Sequence, residues 1–170
     1  MSEEIRIYVA DLAAYNTSHL NGIWIDATLE LDDIQAQVDA MLAASPVEAA
    51  EEYAIHDFEG LDGYWISEYE SLENAHEIAC FIEEHPDFGA ALLAHFNDLA
   101  QARKAAEDDY CGCYSSLAEY AQELTEQTTN IPHHLAMYID YRSMARDMEY
   151  SGDVFTLETG FEQVHVFWNR

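Results

Sequence analysis

The chain has 170 residues, of which 34 are Asp or Glu and 6 are Lys or Arg, for a net charge of −28 with histidine neutral. Hydrophobic residues make up 49% of it and Pro and Gly number only 3 and 7, which excludes a disordered acidic tail because there is enough apolar material for a core. Charge of this sign excludes attraction to nucleic acid or to anionic lipid, and no apolar run approaches the ~18 residues that span a bilayer.

In chain order, Arg6–Ala10 reads as a strand, rich in aromatic and β-branched residues, and Gly22–Asp26 as a second. Residues 14–21 read as a polar loop between them. From Asp32 to Ala44, Ile34, Val38, Met41 and Leu42 recur at helical spacing. Ser45-Pro46-Val47-Glu48 then has the order of a helix start, with a capping Ser, Pro at the first helical position and an acid at the third, so a short helix is expected to about Ile55. Gly60 and Gly63 mark a break.

Ser71 is expected to open a helix carrying an apolar stripe of Leu72, Ala75, Ala79 and Ile82. Pro86 interrupts it, and Phe88, Leu92, His95, Phe96 and Leu99 define another. Arg103 and Lys104 sit where cations offset the dipole at that helix's end. Ser116 and Glu119 have capping-box spacing ahead of Leu117, Tyr120, Ala121 and Leu124. A helical stretch from Pro132 to Gly152 follows, then strands over 154–158 and 163–168 joined by a turn at Gly160. The class is α+β: an elongated row of three small domains, 1–60 (β-rich N-terminal), 61–103 (helical) and 104–170 (mixed α/β).

The charge is spread over all three segments, with net values of −12, −8 and −8, so none of them is an acidic tail. Ile7 to Ala102 contains 20 Asp and Glu and no Lys or Arg over 96 residues. Halophilic adaptation or solubility also loads a surface with acids, but the net charge useful to a small domain is only about 2–8. A fold that tolerates such self-repulsion points to a strongly positive partner. Helical spacing gathers Glu73, Glu77 and Glu84 within about 40° of one another, and Glu119, Glu123 and Glu126 into a second row. Neither row has bases spaced to pair with it. One such row is a solvated helix face, and its repetition along the chain favours a functional array. The candidate surface comprises Asp32, Asp33, Glu51, Glu52, Glu59, Asp62, Glu68, Glu70, Glu73, Glu77, Glu83, Glu84, Asp87, Glu107, Asp108, Asp109, Glu119, Glu123 and Glu126. Duplex DNA carries one charge per ~1.7 Å of axis, so 28 net charges correspond to ~48 Å of duplex.

Catalytic and metal motifs are weak by comparison. His56-Asp57-Phe58-Glu59 has donor atoms at spacings that suit no particular metal site, and Cys111-Gly112-Cys113 is too short for a zinc knuckle. Glu107-Asp108-Asp109 lacks the alternating ligands and Gly of a calcium loop. There is no phosphate-binding Gly loop, nucleophile elbow or His-Glu-x-x-His. No enzyme, metal or cofactor is expected. Three cysteines and an acidic N-terminus without the basic and apolar regions of a signal peptide lead us to expect a cytoplasmic protein.

Three stretches carry a resemblance. Arg6-Ile7-Tyr8-Val9-Ala10-Asp11-Leu12-Ala13-Ala14-Tyr15-Asn16, with Gly22-Ile23-Trp24-Ile25-Asp26-Ala27, resembles the opening of the ArdA antirestriction family. Ala50-Glu51-Glu52-Tyr53-Ala54-Ile55-His56-Asp57-Phe58-Glu59-Gly60 and Tyr138-Ile139-Asp140-Tyr141-Arg142-Ser143-Met144-Ala145-Arg146-Asp147-Met148 are similar to later parts of it. The resemblance implies a protein carried by mobile genetic elements that evades host defence by inhibiting type I restriction-modification enzymes. It implies a mimic of bent B-form DNA that contacts the methyltransferase core and specificity subunit as an elongated homodimer, with its dimer contact in the C-terminal domain. The family's antirestriction segment is similar to Leu117–Glu126. The alternative is an acidic module for another basic nucleic-acid-binding protein.

Overall fold

A computed structural model describes residues 4–170, which pack as two compact units, one up to Ala90 and the other Ala91–Arg170. Both mix helices with a three-stranded antiparallel sheet, the α+β class expected.

In the first unit, β1 (Arg6–Asp11) is the central strand, flanked by β2 (Gly22–Asp26) and β3 (Tyr53–Glu59). Alternation along β1 sends Ile7 and Val9 into the core, where Ile7 lies opposite Ile25 and Phe58. The other face carries Tyr8 beside Trp24, with ring centroids 5.4 Å apart. Gly22 is required beneath that pair. A Cβ there would lie 2.5 Å from the Tyr8 hydroxyl and 2.8 Å from the Val9 carbonyl. Helix α2 (Leu31–Ala43) buries Ile34, Val38 and Met41. Helix α3 (Leu72–Glu84) opens where Ser71 predicts, its hydroxyl accepting from the Asn74 amide, and buries Ala75, Ile78, Ala79, Phe81 and Ile82. His76 Nδ1 reaches the Ala27 carbonyl at 2.9 Å, fixing α3 to the end of β2.

Two local readings fail in this unit. The expected helix over 46–55 is absent. The Ser45 hydroxyl accepts from Val47, only two residues on, and Ala49 turns at φ 59°. The segment then enters β3, where pairing with β1 buries Ala54 and Ile55. Long-range pairing overrides the local cap signature. The loop expected over 14–21 begins as a short helix, α1 (Leu12–Asn16), because Asp11 caps it by accepting from the Ala14 amide.

In the second unit, β6 (Gln163–Trp168) lies between β4 (Tyr110–Tyr114) and β5 (Val154–Gly160). One sheet face, with Val154, Val164, Val166 and Trp168, packs on Tyr120 and Leu124 of α6 (Leu117–Thr128) and Met148 of α8 (Tyr141–Tyr150). The opposite face is aromatic. Phe155 and Phe167 stack with centroids 5.1 Å apart, and His95 of α4 (Gly89–Phe96) stacks on Phe155 at 4.2 Å.

Two further expectations are corrected here. The helix read through Leu99 divides at Asn97, whose φ of 54° ends α4, and Asp98 then caps α5 (Leu99–Lys104). A π-helical turn, Ala105–Asp109, follows before the chain enters β4. The Cys-Gly-Cys stretch is therefore a strand, formed because β6 pairs with it from more than fifty residues away. The stretch from Pro132 to Gly152 is one turn, α7 (His133–Ala136), and then α8, which Asp140 caps by accepting from the Ser143 amide.

Candidate functional site

Nearly all the acids point outward. Among the described residues only Asp11 and Asp109 have buried carboxylates. On α3, Glu73 and Glu84 are exposed and Glu77 is half-buried, on the side of the helix away from its apolar stripe. On α6, Glu119, Glu123 and Glu126 are all exposed while Tyr120 and Ala121 face the core. Asp32 and Asp33 lie in the first turn of α2, as Glu73 does in α3 and Glu119 in α6, where negative charge offsets the helix dipole. Glu51 and Glu52 precede β3, and Asp62 and Glu68 lie on the loop that follows it; all four are exposed, while Glu70 is half-buried. Glu83, Glu84 and Asp87 surround the end of α3, and Glu107 and Asp108 project from the π-turn.

Two candidates are already engaged. Glu59 is ion-paired with Arg6, whose guanidinium also lies 5.3 Å from the Trp24 ring centroid. Asp109, the third acid of the triplet, is turned inward and held by Arg170 Nε at 3.3 Å. It leaves the candidate surface for a structural role, which the sequence could not signal because its partner follows 61 residues later.

The α6 row is tied into local structure as well. Ser116 caps the helix by accepting from the Glu119 amide at 3.2 Å. The Glu119 carboxylate accepts from the Ser115 amide and hydroxyl, one residue earlier than in a standard capping box. Those bonds hold the Glu119 carboxyl below its ordinary pKa, so its charge persists into acid. The Tyr114 phenol is pushed up to about 12 by burial, with the hydrogen bond to Glu123 and that carboxylate's charge adding to it. Glu123 and Glu126 also accept from Gln127 and Gln122 one turn away, so neutral amides orient this row without cancelling its charge.

Asp11 escaped sequence reasoning. It is wholly buried, accepting from the Ala14 amide and from Asn21 Nδ2, each at 3.1 Å. Burial pushes its pKa up, but hydrogen bonds from Ser45, Ala14 and Asn21 outweigh that and hold it below the ordinary carboxylate range. Also missed were two aromatic residues in water: Trp65 is 81% exposed and Tyr69 80%. Among the described residues no three His, Cys, Asp or Glu side chains converge as metal ligands.

This is a charged outer surface on a well-packed interior, suited to binding by summed field. The sequence profile of the family described as antirestriction protein (ArdA) matches residues 7–163. The chain belongs to the ArdA family. No curated protein sequence matches it. Membership makes the chain an antirestriction protein directed at restriction enzymes, and the ArdA match runs through both units and every acidic row described above.

Proposed function

We propose that this ArdA protein inhibits type I restriction-modification enzymes by presenting carboxylates in place of DNA phosphates. It occupies the duplex-binding groove formed by the methyltransferase core and specificity subunit. It performs no bond chemistry and needs no cofactor. Its effect is to protect incoming mobile DNA in the cytoplasm by denying the enzyme its substrate.

One observation carries the reading: acids face solvent on both units, while Arg6 and Arg170 are each drawn into a carboxylate pair. With 34 acids against 6 bases, such pairs leave most of the negative field uncompensated, and a groove evolved to hold a polyanion would be steered onto it. Self-association as a homodimer is part of the proposal. It is supported in the second unit by Met137 and Tyr138, 79% and 77% exposed, and by Leu135 at 47%.

The test is competition. A fluorescent duplex carrying the recognition sequence is bound to a purified type I methyltransferase, and the protein is titrated in at several salt concentrations. Displacement at low salt that weakens steeply as salt rises is expected. Absence of displacement at low salt would refute the proposal.

A further inference from the structure

We infer that the loop between β3 and α3 is an anchor for guanidinium groups of the partner, with Trp65 and Tyr69 as the stacking surfaces. The inference rests on the proposed binding to a cationic groove and adds a directional contact to a reading otherwise based on summed charge.

The loop is built to hold these two rings outward. Leu61 and Ile66 are buried, at 4% and 9% exposure, and root it in the first unit. The Ile55 amide donates to the Glu68 carbonyl at 3.0 Å, so the loop lies along the outer edge of β3. Ser67 closes the turn, with the Tyr69 amide donating to its hydroxyl and the Glu70 amide to its carbonyl, both at 3.1 Å. Trp65 and Phe58 meet edge to face, with ring centroids 5.4 Å apart and planes at 88°, and Trp65 as a whole stays in water. A pinned backbone presenting two large exposed aromatics forgoes burial that such rings usually supply. Preordered aromatic side chains of this kind are what binding hot spots use.

Charge selects the occupant. Asp62 and Glu68 are exposed on the same loop, so an anion or nucleic acid is disfavoured and a cation is drawn in. A planar guanidinium stacks on an indole face and is bound by carboxylates at its edge, which an ammonium does less well. The same unit contains this arrangement internally, since Arg6 lies 5.3 Å from the Trp24 ring centroid and is ion-paired with Glu59. Trp65 with Glu68 offers the partner an open version of that contact.

The experiment is the duplex-displacement titration with Trp65→Ala, Tyr69→Ala and the double variant, each checked by thermal melting. Both rings are exposed, so folding should persist. Trp65→Phe, which keeps a ring against Phe58 while weakening cation stacking, serves if Trp65→Ala melts early. Each alanine variant should weaken displacement on the order of tenfold, with Trp65→Phe between it and wild type. The log–log salt slope should stay as in wild type, because no charge is removed. If wild type displaces duplex and the double variant matches it within about twofold, the anchor is refuted and the charge-based reading survives. If wild type fails to displace duplex at low salt, both fall. Capture of a single-stranded oligonucleotide by wild type, lost in Trp65→Ala, would assign the rings to base stacking and overturn the inference.

Discussion

Carboxylates that build the fold and carboxylates that build the field should respond in opposite ways to neutralisation. Asp11 belongs to the first kind. Replacing it with Ala uncaps α1, worth about 1 kcal/mol. It also removes the charged acceptor of Asn21 and Ser45, whose hydrogen bonds are worth roughly 1.5–3 kcal/mol each, partly offset by no longer burying a charge. Asn21 keeps its bond to the Met41 carbonyl at 3.0 Å, which limits the damage. A net loss of about 2–4 kcal/mol follows, a drop in Tm of roughly 10–20 °C for a unit of this size. Glu123 and Glu126 belong to the second kind. They are exposed and three residues apart, where like charges cost about 0.2–0.5 kcal/mol. The Glu123→Gln/Glu126→Gln variant should therefore melt at or slightly above wild type and yet bind the methyltransferase more weakly. The assays are thermal unfolding by circular dichroism and duplex displacement on the same samples. If Asp11→Ala melts within about 2 °C of wild type, or if neutralising the α6 pair destabilises as much, the division of roles is wrong.

The remaining expectations are narrower. Because Asp11 has a lowered folded-state pKa, its stabilisation is complete above the unfolded value and is lost as pH falls through the folded one; urea titrations should show Asp11→Asn losing less stability than wild type as pH is lowered below about 4. Arg170→Ala strands the buried Asp109 carboxylate and should cost about 1–2 kcal/mol, and adding Asp109→Asn should recover part of this in urea unfolding. Gly22→Ala drives a Cβ into the Val9 carbonyl and the Tyr8 ring and should cost about 2 kcal/mol by the same measurement, since β1 and β2 must part to admit it.

What could be read from the sequence was whatever is settled within one turn of chain. Ser71 and Ser116 announce their helices because the group each hydroxyl bonds lies three residues on. The same logic misled at Ser45, where the cap signature was present and β1 claimed the segment first. Cys111-Gly112-Cys113 gave no strand signal of its own, because its pairing comes from β6. The acidic rows on α3 and α6 were legible, since solvent takes charged residues by default. Asp109 was not: within Glu107-Asp108-Asp109 all three acids look alike, and only folding brings Arg170 to one of them.

Trp65 and Tyr69 show the same limit from the apolar side. Composition assigns aromatics to the core, and Phe81, Phe88, Tyr120 and Phe167 do go there. A loop aromatic that stays in water is recognisable only once its neighbours Leu61 and Ile66 are seen to have taken the buried positions. That inversion matters for mechanism. A field summed over many carboxylates gives fast, salt-sensitive encounter with any cationic groove, but it distinguishes poorly between grooves. Discrimination needs contacts whose loss raises the rate of dissociation, the part inferred above for the exposed rings of Trp65 and Tyr69. Trp65→Ala and Tyr69→Ala should therefore shorten the lifetime of the methyltransferase complex while leaving its association rate within about twofold of wild type. Glu123→Gln/Glu126→Gln should slow association instead. If the alanine variants slow association and leave dissociation unchanged, the aromatics contribute to encounter rather than to holding, and selectivity must be sought elsewhere on the surface.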